Sequence, residues 1–311
     1  MVFINPKTDF AFKKIFGSEE SKDILISFLN ALLYQGDQNI EDLTIINPYL
    51  APRIRGVKDT YLDVKAKLKT GETVIIEMQV LNVEGFEKRI LYNAAKAYSL
   101  QLDIRESYSR LNPVIALTIT DFIMFPQFDK LTSRFALKET EFLVDYLVYD
   151  IELVFVELPK FTKSLEDLET VADKWLYFLK EARRLGEVPE NMEEVPEIQK
   201  AFRLAHQANL TREELDDLEH REIFIQDQRN AIIKATNQGL AQGRQQGLEQ
   251  GLEQGLEQGL EQGLEQGKKQ AQIEIARKLL DILDEDLVSQ KTGLTLEEVL
   301  QLKQISTDED G

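Results

Sequence analysis

The sequence predicts an α/β domain followed by a helical C-terminal region. Three observations carry that reading. Segments of helical and strand periodicity interleave through residues 1–162, two strictly alternating runs face each other across a Gly-containing turn, and from Ser164 onward the apolar spacing is helical. The expected division is an α/β domain over residues 1–162, a helical region over 163–236, a Gly-x-x-x repeat over 237–267 and a small helical tail over 268–311.

Residues 19–34 (EESKDILISFLNALLY) place Ile24, Leu25, Phe28, Leu29, Leu32 and Leu33 on one stripe, which predicts an amphipathic helix capped by Ser18 or Ser21. Residues 43–50 (LTIINPYL) are apolar and β-branched and are closed by Pro52, which reads as one buried strand. Residues 61–68 and 73–81 alternate around Lys69-Thr70-Gly71-Glu72 and predict a hairpin. Residues 84–106 read as a helix ending before the turn signal Asn112-Pro113. LNPVIALTITDF then reads as a buried strand, and EFLVDYLVYDIELVFVELPKF as one long strand or two in succession. Helical segments follow: LEDLETVADKWLYFLKEARRL, VPEIQKAFRLAHQANL, and a long one opened by the capping box Thr211-Arg-Glu-Glu214. Trp175, with Tyr177 and Phe178, is expected to pack rather than to stack on bases.

The tail holds seven tetrads from Gly239 to Gln266, closed by Gly267. A step of four residues advances about 400° around a helix, so the Gly and Leu lines wind slowly and form no straight seam. Each Gly destabilises a helix by about 1 kcal/mol relative to Ala. Two readings stay open: a helix that packs closely along its Gly groove and drives oligomerisation, and a flexible tether. The residues beyond it predict two small helices, the second with a Thr295-Leu-Glu-Glu298 cap.

Composition narrows the function classes. The chain has no Cys and only two His, His206 and His220, which excludes disulfide and thiolate chemistry and offers no standard zinc spacing. The opening lacks the apolar core of a secretory signal and no window is apolar enough for a membrane span, so a cytoplasmic location without membrane partners is expected. A net charge of −18 argues at first sight against nucleic acid. Residues 1–110 hold 15 Lys+Arg and 15 Asp+Glu, however, so the acidic excess lies entirely in the rear. The front can still approach phosphates.

Alternation in the hairpin assigns Leu62, Val64, Ala66 and Leu68, with Val74, Ile76, Met78 and Val80, to a core face. Asp63, Lys65 and Lys67 then face the other way, with Glu77 and Gln79. A three-residue turn over 69–71 pairs residue 68 with 72 and sets Asp63 opposite Glu77. Two carboxylates so placed repel, and a divalent cation would compensate them. Mg²⁺ or Mn²⁺ takes carboxylate, carbonyl and water oxygens, and can activate water against a phosphodiester. A solvated hairpin face balanced by lysines is the alternative.

At these residues the chain resembles the Rpn family of recombination-promoting nucleases and putative transposases, a branch of the PD-(D/E)xK phosphodiesterase superfamily. The resemblance runs over roughly residues 3–162: NPKTDFAFKKIFG with SFLNALL, the hairpin YLDVKAKLKTGETVIIEMQV, EKRILYNAAKAYSLQL, NPVIALTITDF and VFVELPKF. It implies a restriction-endonuclease-like core, a mixed sheet flanked by helices, and Mg²⁺-dependent cleavage of DNA. Position by position, Asp63 resembles the metal-binding Asp, Glu77 the acid of an E-x-Q signature, and Gln79 stands where the wider superfamily has Lys. An amide can orient water but adds no charge. Lys65, on the same face, is the first candidate to supply it. The Met78 carbonyl can join Asp63 and Glu77 as a metal ligand.

Arg89 and Tyr92 match the family's R-x-x-Y and share a helical stripe with Lys96; a phosphate clamp and a solvated Arg paired with Glu84 or Glu87 are both open. Asp9 is a further acid of the site or a cap of the first helix. Asp59 shares the parity of Asp63 if its strand extends so far, and Lys13 and Lys14 contact DNA or water. The expected protein is thus a Mg²⁺- or Mn²⁺-dependent endodeoxyribonuclease linked to recombination. It acts on DNA and forms a homo-oligomer, because one site cuts one strand. The alternative is a catalytically inactive, nuclease-like assembly protein whose tail drives oligomerisation.

Overall fold

The computed structural model describes residues 2–50, 60–146 and 149–309. The chain divides after Ala231 into two compact units, Met1–Ala231 and Ile232–Gly311.

The first unit is built on a mixed six-stranded sheet. Two helices precede it: α1 (Asp9–Phe16), capped by the Thr8 hydroxyl, and α2 (Lys22–Tyr34). The strands are β1 (Leu43–Ile45), the short β2 (Tyr49–Leu50) and β3 (Thr60–Tyr61), which pair with each other, then β4 (Val64–Leu68) and β5 (Thr73–Gln79). After α3 (Phe86–Ser99) come β6 (Val114–Thr120), β7 (Thr132–Phe135) and β8 (Ile151–Glu157). The sheet order is β1-β4-β5-β6-β8-β7. β5, β6 and β8 run parallel, and β1, β4 and β7 lie antiparallel to their neighbours. A parallel β5–β6 pair needs a long crossover, and α3 provides it.

Helices cover both faces. On one side the even-numbered residues Val64, Ala66, Val74, Ile76 and Met78 pack with α1, α2, α4 (Val171–Glu181) and α6 (Pro196–Ala205); α5 is the single turn Glu190–Glu193. The aromatic centre of this layer joins Phe16, Phe28 and Phe178 around Trp175, whose indole N–H donates to Ser27 Oγ at 3.1 Å. On the other side α3 packs Ala94 and Ala97 on Ile75, Val114 and Ala116. The central β6 is therefore buried at every position, as a strand with two parallel neighbours and both faces covered must be.

α7 (Arg212–Leu279) opens with the expected box: Glu214 accepts from the Thr211 N–H at 2.8 Å, and Thr211 Oγ1 from the Glu214 N–H at 3.2 Å. Its part up to Ala231 belongs to the first unit. In the second unit the Gly repeat is α-helical throughout, and α8 (Glu285–Thr292) and α9 (Leu296–Glu309) pack Val288, Val299 and Leu302 on Ala276 near the end of α7. Thr295 caps α9, exchanging hydrogen bonds with Glu298.

Several expectations change. Residues 43–50 form two strands in different sheets, separated at Asn47-Pro48, because Pro cannot donate to a ladder. The third helix stops at Ser99, not 106. Among the described residues of 141–161 only Ile151–Glu157 is a strand, and Asp145 forms an isolated bridge with Lys138. β7 had no alternation to reveal it. Leu62 packs with Ile75 and not with Val64, since the chain bends at Asp63 and breaks the alternation there. Pro52 and Asp59 lie outside the described residues.

Candidate active site

The hairpin fixes the geometry. Gly71, at φ +112°, makes the turn, and its N–H donates to the Leu68 carbonyl at 3.0 Å while the Leu68 N–H donates to the Glu72 carbonyl at 2.8 Å. At that φ any residue with a β-carbon is strained, and the β-carbon would also lie 2.7 Å from Asn112 Oδ1, which would have to move. The resulting register pairs Val64 with Ile76 as its last rung, and Asp63 stands just beyond the end of that ladder.

Alternation then assigns the backbone of β5. Thr73 donates to the Pro113 carbonyl and Gln79 accepts from the Asp121 N–H, so odd residues address β6 and even residues address β4. At Met78 the partner strand has not begun, because β4 starts at Val64 and the Leu62 N–H goes to the Pro48 carbonyl. The Met78 N–H donates instead to Asp63 Oδ2 at 2.7 Å. By the same alternation the Met78 carbonyl is directed to the β4 side of the strand.

Asp63, Glu77 and Gln79 line one cavity of about 920 Å³ with Asp9, Arg89 and Tyr92. The carboxylates of Asp63 and Glu77 are 16% and 12% exposed, sunk but reachable. Burial, together with a proton shared with Asp9, pushes the Asp63 carboxyl up to about 8, against the pull of the Met78 N–H and Lys13. Asp9 is the lower partner of that pair: burial works against its ionisation, but hydrogen bonds from Asp63, Lys13 and Arg221 outweigh it. Lys13 sits 2.6 Å from Asp9 and 3.6 Å from Asp63, and Arg221 donates to Asp9 at 2.8 Å. Asp9 therefore stands at the site as the first residue of α1, while Thr8 does the capping.

Glu77 is held from the other side. Burial raises its pKa, opposed by the Asn93 amide, which donates to Oε1, and by Arg89, 3.9 Å away. Arg89 donates more closely to Gln79 Oε1, at 2.7 Å, and Gln79 Nε2 donates to the Leu81 carbonyl at 2.7 Å. The Gln79 amide is thus fixed at both ends, with Arg89 laid over the Phe86 ring, its guanidinium carbon 5.2 Å from the ring centre.

Other expected residues lie apart. Lys65 lines a different cavity, of about 580 Å³, with Lys67 and Thr73. Lys14 pairs with Glu214 at 2.6 Å. The Lys96 ammonium lies 5.7 Å from the centre of the Tyr92 ring. Three residues beside the acids had escaped the reading of the sequence: Lys13 as the cation near Asp63, Asn93 and Arg221. Asn93 lies four positions after Arg89 on the same helical stripe, which is a signal in the sequence; Arg221, about 150 residues from the hairpin in sequence, leaves none.

The sequence pattern that defines the PD-(D/E)XK nuclease family transposases matches residues 6–235, well over half of the chain. The chain belongs to that family. No curated protein and no solved structure matches it. As a PD-(D/E)XK nuclease family transposase it has a nuclease-like domain, and the match runs beyond the sheet through α4, α6 and the start of α7. Nucleases of this superfamily generally use divalent metal ions. No described helix is long and apolar enough to cross a membrane.

The donors of this family member suit such an ion. Asp63 and Glu77 are buried carboxyls with raised pKa values, and the nearest cations stand 3.6 and 3.9 Å off, engaged more closely with Asp9 and Gln79. Positive charge is in deficit there. Among the described residues no three His, Asp or Glu side chains converge tightly enough to hold an ion alone. Two carboxylates, one main-chain carbonyl and water form the mixed set that Mg²⁺ usually takes.

Proposed function

We propose that this chain is a Mg²⁺- or Mn²⁺-dependent endodeoxyribonuclease of the cytoplasm, acting on DNA in recombination. The observation that carries the reading is the pair of under-neutralised buried carboxyls, Asp63 and Glu77, in one open cavity with Gln79 and Arg89. Asp63, Glu77 and the Met78 carbonyl would hold the ion. It would supply a Lewis acid to the phosphoryl oxygen and lower the pKa of water. Gln79, clamped between Leu81 and Arg89, presents its remaining N–H and lone pair to the attacking water, and the Arg89 guanidinium faces the charge that develops on the phosphate. That charge replaces the Lys that Gln79 displaces. Tyr92 lines the same wall and contacts the substrate backbone.

Cutting both strands of a duplex needs two such sites, so a homo-oligomer is proposed, with the helical Gly repeat as its association element. Supercoiled plasmid should be nicked and linearised with Mg²⁺ or Mn²⁺, and not with chelator. Asp63→Ala should abolish cleavage with an unchanged circular dichroism spectrum; equal cleavage by the variant removes the assignment.

One observation favours a second reading, a nuclease-like assembly protein without activity: both ends of the Gln79 amide are already engaged. Calorimetry separates the two, since that protein would take up Mn²⁺ no differently from its Glu77→Ala variant.

A further inference from the structure

Asn93 lies on α3 and is only 2% exposed. Its Nδ2 donates to Glu77 Oε1, while its Oδ1 is buried and finds no hydrogen-bond partner among the described residues. This orientation is dictated by chemistry. An ionised carboxylate only accepts, so the amide must turn its NH₂ toward Glu77, and that strands the oxygen. A buried, unpaired acceptor destabilises a fold, and native proteins hold few of them. Of the other buried positions of α3, Phe86, Ile90, Ala94 and Ala97 are apolar, and Lys96 buries its stem with its ammonium over the Tyr92 ring. Packing alone would fill this one likewise.

What Asn93 does is best seen from the alternative partner of Glu77. Arg89, on the same helix, stands 3.9 Å from Oε2, and its side chain is 44% exposed. Without the Asn93 bond to Oε1 the carboxylate would be free to close on that guanidinium, away from Asp63. An acid paired with Arg is a poor ligand for a cation, because its charge is already spent and its oxygens are turned. The bond from Asn93 is neutral and comes from the buried side, so it fixes the carboxylate without neutralising it.

We propose that Asn93 is a positioning residue, which holds the Glu77 carboxylate open to a divalent cation and away from Arg89. The inference rests on the function proposed above. Groups one step removed from a metal typically alter its affinity by about 10- to 100-fold.

The test is Mn²⁺ titration calorimetry and Mn²⁺-dependent plasmid nicking on the full chain, its Asn93→Leu variant and, should Leu prevent folding, Asn93→Ala. Folding is checked by circular dichroism in each case. A folded variant should bind Mn²⁺ at least about tenfold more weakly, and raised Mn²⁺ should recover part of its nicking rate. A purely structural role would shift the melting temperature and leave the Mn²⁺ dependence where it was. Unchanged affinity in a folded variant beside a parent that binds overturns the inference and leaves the proposed function standing. Failure of both variants to fold also overturns it, because Asn93 is then a structural residue. A parent that takes up no Mn²⁺ overturns the proposed function and this inference with it.

Discussion

Asp63 Oδ2 accepts the main-chain N–H of Met78 at 2.7 Å, at the point where β4 has not yet begun and β5 still runs on. The last open rung of the hairpin is closed by a carboxylate instead of a strand. That ties the acid to the β5 backbone at a depth where burial raises its pKa, against the pull of the same N–H.

A pH dependence follows. Burial and the proton shared with Asp9 hold the folded Asp63 carboxyl up at about 8, above its value in the unfolded chain. Between the unfolded value, about 4, and 8 the unfolded state releases this proton while the folded state keeps it, so stability falls as pH rises through that window. Metal-free protein should melt at a lower temperature at pH 9 than at pH 6, and Asp63→Asn should flatten the slope. Calorimetric scans at the two pH values check this. A slope unchanged in the variant would mean that other groups carry it.

Arg89 and Gln79 act as one unit, joined at 2.7 Å. If Arg89 supplies the charge that an amide cannot, Arg89→Ala should lower kcat by about 100-fold, the range for removing one electrostatic donor. Gln79→Lys should recover part of that loss in the Arg89→Ala background. In the parent it should not help, because two cations would then repel. Single-turnover cleavage of a labelled duplex reads both effects. No recovery in the double variant would assign Arg89 to substrate binding alone.

The glycines of the tail offer a separate test. A β-carbon added at any of Gly239 to Gly267 meets nothing within 4 Å in its own chain, and Leu252 and Leu256 are exposed. Within one chain, Gly251→Ala, Gly255→Ala and Gly259→Ala should each stabilise the helix by about 1 kcal/mol, visible as a higher melting temperature at 222 nm. If copies associate through close approach along the Gly groove, the same triple variant should lose mass by light scattering. Unchanged mass would make the repeat a spacer.

Much of the hairpin was legible because two local rules combine there. Side-chain parity and a three-residue turn set the register as far as Val64 and Ile76, which brings Asp63 and Glu77 to the same end of the hairpin and to one cavity. The rules stopped working where tertiary contacts took over. A bend at Asp63 sends Leu62 to the opposite cluster, and the apolar cluster under α3 buries Ile75 on the face that alternation assigns to Lys65 and Glu77. The short edge strand β7 carried no pattern of its own. Lys65 had the right parity but lies two residues further along β4, beside a different cavity. The cations that do stand near the acids, Lys13 and Arg89, come from helices, whose approach to the sheet no strand pattern encodes.

The central claim is that Asp63 and Glu77 share one divalent ion. A crystal grown with MnCl₂ and measured at the manganese edge tests it directly. The account predicts a single anomalous peak within bonding distance of both carboxylates and of the Met78 carbonyl, lost in Glu77→Ala. A crystal at saturating Mn²⁺ with no peak in that cavity, or with one bound by neither acid, would contradict it.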